Sequence, residues 1–197
     1  MKEVELKGVV ADHGAARARL EEAGAVLVFA GTLEDRRYDT DERALARRDH
    51  VLRVRIYRDG HGARATLDWK GPVGYERGYK VREELSAGVV DADTLLVMLE
   101  RLGYVLTREI DREIAQYDLE GTMVRFEHYP RMDTLVEVEG APDAIERAIA
   151  AAGLARQGFS ADRLPDFVER FERRSGQRAA LSRRELAGDY RFRLDDA

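Results

Sequence analysis

The 197-residue chain has 33 Lys and Arg against 38 Asp and Glu, a formal net charge of −5, and no cysteine. That balance gives no global attraction for nucleic acid, and the lack of thiols excludes disulfides, zinc–thiolate centres and cysteine nucleophiles. Apolar residues make up 44% and charged residues 36%, so one domain can bury a core while some of the surplus charge is lodged inside it. No apolar run is long enough to cross a bilayer and the opening residues are charged, so the expectation is a soluble protein of the reducing cytoplasm with no membrane partner.

In chain order, Glu3-Val4-Glu5-Leu6-Lys7 alternates charged and apolar residues, the period-2 mark of a strand with two unlike faces. Asp12 opens a helical stretch that carries Leu20 and stops near Gly24. In Leu52-Arg53-Val54-Arg55-Ile56-Tyr57 the arginines share a face with Tyr57. Asp59-Gly60-His61-Gly62 reads as a hairpin turn, and Thr66, Asp68 and Lys70 then alternate with Leu67 and Trp69. Lys80, Arg82 and Glu84 alternate with Val81, Glu83 and Leu85, where only Glu83 breaks the apolar face. Asp91 opens a second helix with Leu95, Leu99 and Leu102 ahead of Gly103. A second turn at Glu120-Gly121 precedes Val124–His128, in which Arg125 and Glu127 share a face, and Glu137 and Glu139 share one in the following strand. Helices are expected over Pro142–Gly153 and, with Ser160 as N-cap, through Leu164, Phe167, Val168 and Phe171 to Gly176.

The helices need apolar strand faces to cover, so the charged faces point the other way. Two architectures satisfy this: an open sheet with a solvated charged face, or a sheet closed into a barrel with a polar lumen. The signs are sorted along the chain: strands from Arg53 to Arg82 are mostly cationic, whereas Glu127, Glu137 and Glu139 fall together, and the first strand carries both signs. Gathered carboxylates repel unless a hard cation such as Mg²⁺ or Mn²⁺ sits among them, and a ring of Arg and Lys calls for an anion. Polyphosphate binds both.

The opening Glu3-Val4-Glu5-Leu6-Lys7 resembles the ExExK signature of the CYTH superfamily, the triphosphate tunnel metalloenzymes. Tyr38-Asp39, Leu52-Arg53-Val54-Arg55, Trp69-Lys70-Gly71-Pro72, Arg82-Glu83-Glu84, Glu127 and Leu135–Glu139 follow in family order, over about residues 1 to 155. The resemblance implies an α+β fold: a closed antiparallel β-barrel tunnel with a polar lumen and helices packed outside. It implies Glu3, Glu5, Glu127, Glu137 and Glu139 as ligands of Mg²⁺ or Mn²⁺, with Glu139 equally suited to bonding a lumen arginine. Lys7, Arg53, Arg55, Lys70 and Arg82 match basic triphosphate-binding positions. Arg112 matches one of two alternating basic positions, and Ile114 departs at the other. Lys80 has lumen parity and equally fits a salt-bridged rim.

The implied activity is that of a metal-dependent enzyme acting on ATP, tripolyphosphate or thiamine triphosphate. Spacing and the Trp-Lys-Gly-Pro block resemble the class IV adenylyl cyclase branch, yet triphosphatase and cyclase need the same metal and the same cationic clamp. In the hydrolytic reading Lys7 or a free carboxylate, such as Glu5, orients the attacking water. A polyphosphate-binding module without turnover is the competing reading. His128 faces away from Glu127 and reads as a packed or surface histidine, His61 as a solvent-exposed turn residue, and Trp69 as packing under a helix. The domain is expected over 1–176, with 177–197 as a tail that forms a last strand or a lid; a homodimer is a further expectation.

Overall fold

The computed structural model describes residues 2–194. Its strands are β1 (Lys2–Val9), β2 (Val26–Thr40), β3 (Val51–Asp59), β4 (Gly62–Lys70), β5 (Gly74–Glu76), β6 (Tyr79–Val89), β7 (Tyr104–Leu119), β8 (Thr122–His128), β9 (Leu135–Glu139) and β10 (Phe159–Ser160). The helices are α1 (His13–Glu22), α2 (Ala92–Arg101), α3 (Pro142–Ala151), α4 (Leu164–Ser175) and the short α5 (Arg183–Leu186).

Eight antiparallel strands close in the order β1-β9-β8-β7-β2-β3-β4-β6, and β6 pairs back onto β1. The opening strand makes the closure. Its residues Glu5 to Val9 pair with β9, while Lys2 to Glu5 pair with β6 on the other edge. β10 continues that second edge opposite Lys7 and Gly8, and β5 extends β6. Closure leaves no free edge on the barrel wall, which is the general solution to the unpaired N–H and C=O groups of a sheet.

Hairpin chemistry sets the register. Leu119 pairs with Thr122 across Glu120 and Gly121, both at positive φ, as the favoured two-residue turn requires. Asp59 pairs with Gly62, and its carboxylate accepts from the N–H groups of His61 and Gly62. Gly31 serves a different need: a Cβ there would lie 2.1 Å from the Arg58 carbonyl, so no larger residue lets β2 and β3 approach.

The outward strand faces are covered as the alternation requires. α1 and α3 bring Leu20, Ile145 and Ile149 onto Leu6, Val124, Val136 and Val138, all buried. α2 sets Leu99 against Val54 and Ile56. Asp12 and Asp91 cap α1 and α2 by accepting from Ala15 and Thr94 N–H. α4 is placed differently. It packs Leu164, Phe167 and Val168 on Ile110, Tyr129 and Leu135, and Ile110 and Leu135 alternate in phase with the inward Arg112 and Glu137. This helix therefore covers part of one end of the lumen.

One expectation changes, two strands escape the alternation, and the tail takes a definite form. The N-cap of α4 is Arg163, whose N–H is accepted by the Asp166 carboxylate, while Ser160 lies in β10 opposite Lys7 and bonds Asp162. The longest strands, β2 and β7, carry little alternation of polar and apolar residues, because both faces of their central segments are charged. Arg36 points outward to Asp111 at 2.9 Å, between inward Asp35 and Arg37. The tail after Gly176 forms one bridge, Ala180 with Arg131, and then α5, which docks on β7 through Arg184–Glu109 at 2.7 Å and the buried pair Arg108–Glu185 at 2.8 Å. Residues 195–197 of the expected tail lie outside the described residues. Among the described residues, no helix is long and apolar enough to cross a membrane.

Candidate functional site

A polar cavity of about 200 Å³ opens at the end of the barrel where β2 gives way to β3. Its mouth is formed by the segment 43–50 and by Arg163 and Leu164 at the start of α4. Asp39 orders that segment, accepting from the N–H groups of Thr40, Leu45 and Ala46. Arg82 joins it to the wall through the Gly71 and Asp49 carbonyls.

Every expected phosphate-binding residue lines this cavity: Lys7 from β1, Arg53 and Arg55 from β3, Lys70 from β4, Arg82 from β6 and Arg112 from β7. Strand parity brings them there, since each sits at an inward position of its strand. Of the expected metal ligands, Glu5, Glu127 and Glu137 line the cavity, whereas Glu3 and Glu139 stand on the same strands without lining it. Register explains the grouping: Glu5 stands directly opposite Glu139, Lys7 opposite Glu137, and Arg125 opposite Glu137 on the far side.

The two signs are interleaved. Lys7 Nζ lies 2.7 Å from Glu137 and 3.9 Å from Glu127. Lys70 contacts Glu3 at 2.8 Å and Glu84 at 3.0 Å, and Lys80 contacts Glu5 at 2.6 Å. Arg53 is held by Asp68 at 3.0 Å and Glu84 at 2.7 Å, and Arg125 by Glu137 at 2.8 Å. Arg55 and Arg112 are held more loosely. Their ion-pair distances to carboxylates run from 3.3 to 3.7 Å, and neither buried Nε has a hydrogen bond.

Burial disfavours charge on Lys7, but Glu137 and Glu127 outweigh it and hold the ammonium above its ordinary pKa. Burial likewise opposes ionisation of Glu137, yet Lys7 and Arg125 keep it well below the usual carboxylate range. Glu139 goes the other way. Burial, with Glu3 and Glu137 adding repulsion, raises it to about 7. Among the described residues no three carboxylates or histidines form a ready-made metal shell. The donor set nonetheless suits a hard divalent ion: carboxylates of Glu3, Glu5, Glu137 and Glu139 are crowded on adjoining strands, and Glu139 carries the cost of that crowding.

Ile114 closes the lumen away from the mouth. It packs with Phe29, Leu33 and Tyr57, and Arg64 stacks over Tyr57 at 3.8 Å. The departure is therefore part of an apolar floor on the β2–β3–β7 side. His128 turns outward onto His13, ring centroids 4.3 Å apart, with Thr134 on its Nδ1, and Trp69 packs outward on His50. His61 is exposed.

Six residues that line the cavity or hold its cations escape the sequence reading. Asp68 and Glu84 were visible in alternating strands and only needed to be read as partners of Arg53. Asp35 and Arg37 precede Asp39 at spacings of two, the parity of the same inward face, but their strand was not recognised. Arg43 and Arg163 come from the mouth segment and the start of α4, where periodicity carries no signal.

The sequence matches the CYTH domain family over residues 1–151. The structure is similar to a Vibrio parahaemolyticus protein described as a candidate adenylate cyclase, with a TM-score of 0.71, 19% identity, and 85% of this chain and 97% of that one covered. It is similar to the PH1819 protein of Pyrococcus horikoshii OT3, with a TM-score of 0.68, 22% identity and coverage of 89% and 99%. The Hippeastrum protein HpAC1, reported to reveal a dominant triphosphatase activity, aligns with a TM-score of 0.60 and 16% identity over 92% and 98%. At these identities the structures speak for the fold. No curated protein sequence matches.

Proposed function

The chain belongs to the CYTH domain family, and on that premise we propose that it is a divalent-metal-dependent enzyme acting on a triphosphate compound, with hydrolysis of a phosphoanhydride bond as the reaction its pocket supports best. The observation that carries the reading is the convergence of Lys7, Arg53, Arg55, Lys70 and Arg112 from four different strands on one cavity, with guanidinium donors of Arg55 and Arg112 left without tight partners. A polyanion with many oxygens satisfies such a set; a neutral ligand does not. The mouth presents Arg43, Asp49 and Arg163, which suits a charged substrate end.

In this reading Arg55 and Arg112 clamp phosphoryl oxygens, and Arg53 and Lys70 shift from their carboxylate partners toward the phosphates. Lys7, held protonated by Glu137 and Glu127, acts as a fixed positive donor to the charge that builds on the transferred group rather than as a base. Mg²⁺ or Mn²⁺, held by Glu5, Glu137 and Glu139 with Glu3 and Glu127 beside them, would neutralise phosphate charge. Specific membership of the class IV cyclase branch rests on resemblance alone, and fold likeness does not fix which phosphorus is attacked.

The test is release of phosphate from tripolyphosphate, ATP and thiamine triphosphate with Mg²⁺ or Mn²⁺, with chromatographic detection of cyclic AMP alongside. Phosphate release is expected. Cyclic AMP as the main product from ATP would move the assignment to a cyclase. If neither product forms with either metal while tripolyphosphate still raises the melting temperature, the protein is a binding module.

A further inference from the structure

Asp35 has no exposed surface and lies behind the arginines that line the cavity. β2 places it directly opposite Arg55 of β3 and Ile110 of β7. Its Oδ2 lies 3.3 Å from Arg112 Nη2, 3.5 Å from Arg55 Nε and 3.6 Å from Arg53 Nη1, and its Oδ1 lies 3.8 Å from Arg37 Nε. All four distances exceed the 2.7–2.9 Å of a tight charged hydrogen bond, and Oδ1 has no hydrogen-bond donor. One carboxylate cannot saturate several guanidiniums with five N–H groups each. It holds them by charge from a distance, and the loosely held donors of Arg55 and Arg112 stay available to another anion.

We propose that Asp35 is a positioning residue that acts as the pocket's resident counter-anion: it holds Arg53, Arg55 and Arg112 in place in the ligand-free protein and limits how tightly the same arginines grip a triphosphate. The two effects share one cause. Without a negative charge at this point the guanidiniums repel one another, so the ligand-free fold is weakened. With it, an incoming phosphoryl group meets a fixed like charge behind the arginines, which favours release of the anionic products. Burial opposes the Asp35 charge, but Arg53, Arg37, Arg55 and Arg112 together hold it ionised below the usual carboxylate range, so the counter-anion is present at any physiological pH. The inference rests on the triphosphate reading of the pocket.

The experiment compares the wild type, Asp35→Asn, Asp35→Glu and, as a fold-weakening control that removes no charge, Phe167→Ala. Tripolyphosphate affinity is measured by calorimetry in EDTA, and melting temperature with and without tripolyphosphate. Asp35→Asn is expected to melt lower than wild type without ligand and to bind tripolyphosphate about tenfold more tightly or better, the scale on which one neighbouring charge shifts a binding equilibrium. Its ligand-induced rise in melting temperature should exceed that of Phe167→Ala. With Mg²⁺, KM and kcat should both fall, since product leaves slowly, whereas a purely structural defect would not lower KM. Asp35→Glu keeps the charge and should restore an affinity near wild type. Should Asp35→Asn fold only when tripolyphosphate is added, with recovery of native circular dichroism, the proposal is supported; no recovery overturns it. Equal or weaker binding by a folded Asp35→Asn also overturns it, while the wild type still binding keeps the functional reading intact. A wild type that binds no tripolyphosphate removes that reading and this inference together.

Discussion

Arg55 is half-committed within the protein, and that makes it a clean probe of ligand binding. Its contacts to Asp35 and Asp68 are 3.5 and 3.7 Å long, so removing the side chain disturbs little that holds the fold. Arg55→Ala is expected to raise Kd for tripolyphosphate about 10- to 100-fold, the scale of one or two charged hydrogen bonds, with a smaller effect on kcat; calorimetry and steady-state kinetics separate the two. The acidic residues divide by environment. Glu137 is buried against Lys7 and Arg125, so Glu137→Gln should abolish metal-dependent activity and also lower stability, by about 3–5 kcal/mol as for other broken buried pairs, in a denaturant titration. Relief of like-charge repulsion belongs to Glu139 instead. Its folded pKa of about 7 lies above the ordinary 4.5. Between those values the folded state binds more protons than the unfolded state, so stability falls as pH rises across that window. In EDTA, Glu139→Gln should therefore raise the melting temperature at pH 8 and leave it unchanged near pH 4.5, a difference that scanning calorimetry at the two pH values reads directly.

At the scale of elements, β7 carries both a cation of the clamp and a piece of the floor, two residues apart. Arg112 reaches the cavity, while Ile114 seals against Phe29, Leu33 and Tyr57. Ile114→Arg consequently does not complete a cation ring. It buries a charge in an apolar cluster, and the expected result is a loss of stability by several kcal/mol with no gain in tripolyphosphate affinity, checked by melting and calorimetry on the same sample. The outer layers were legible because each binary pattern had one buried and one wet face: the apolar faces with Val54 and Ile56 and with Val136 and Val138 follow from alternation, while their cover by α2 and by α3 is set by the tertiary packing. β2 was not legible by the same rule. Arg36 is paired outside and Asp35 and Arg37 inside, so apolar periodicity vanishes where a strand has ionic partners on both faces. Ser160 misled for a related reason, since Ser is as suited to a bridging residue opposite Lys7 as to a helix cap.

For the whole molecule, the tail is part of the closure. Ala180, Leu181 and Glu185 are buried, and Glu185 is the carboxylate that faces the enclosed Arg108 guanidinium. Truncation after Gly176 should therefore lower the melting temperature markedly, because it uncovers Ile110 and Leu135 and leaves Arg108 without that partner. A truncated protein that melts like the full chain would show that α4 alone seals this end.

The amino-acid sequence by itself determined which side chains of the alternating strands share a face: strand parity is local, and together with the family resemblance it placed Glu3, Glu5, Lys7, Arg53, Arg55, Lys70, Arg82, Glu127 and Glu137 on the inner face before any pairing was known. It also carried the family signature and most of the caps and turns. Tertiary structure alone decided whom each charge meets. Glu5 faces Lys80 where β1 closes the barrel onto β6, Arg53 lies between Asp68 and Glu84 through the β3–β4 and β4–β6 pairings, and Asp35 sits inside the arginine cluster through the registers of β2 with β3 and β7. Whether a lumen charge is clamped, crowded or left with spare donors depends on distances of a few ångströms set by that closure, and it is those distances that turn one charged face into a binding site.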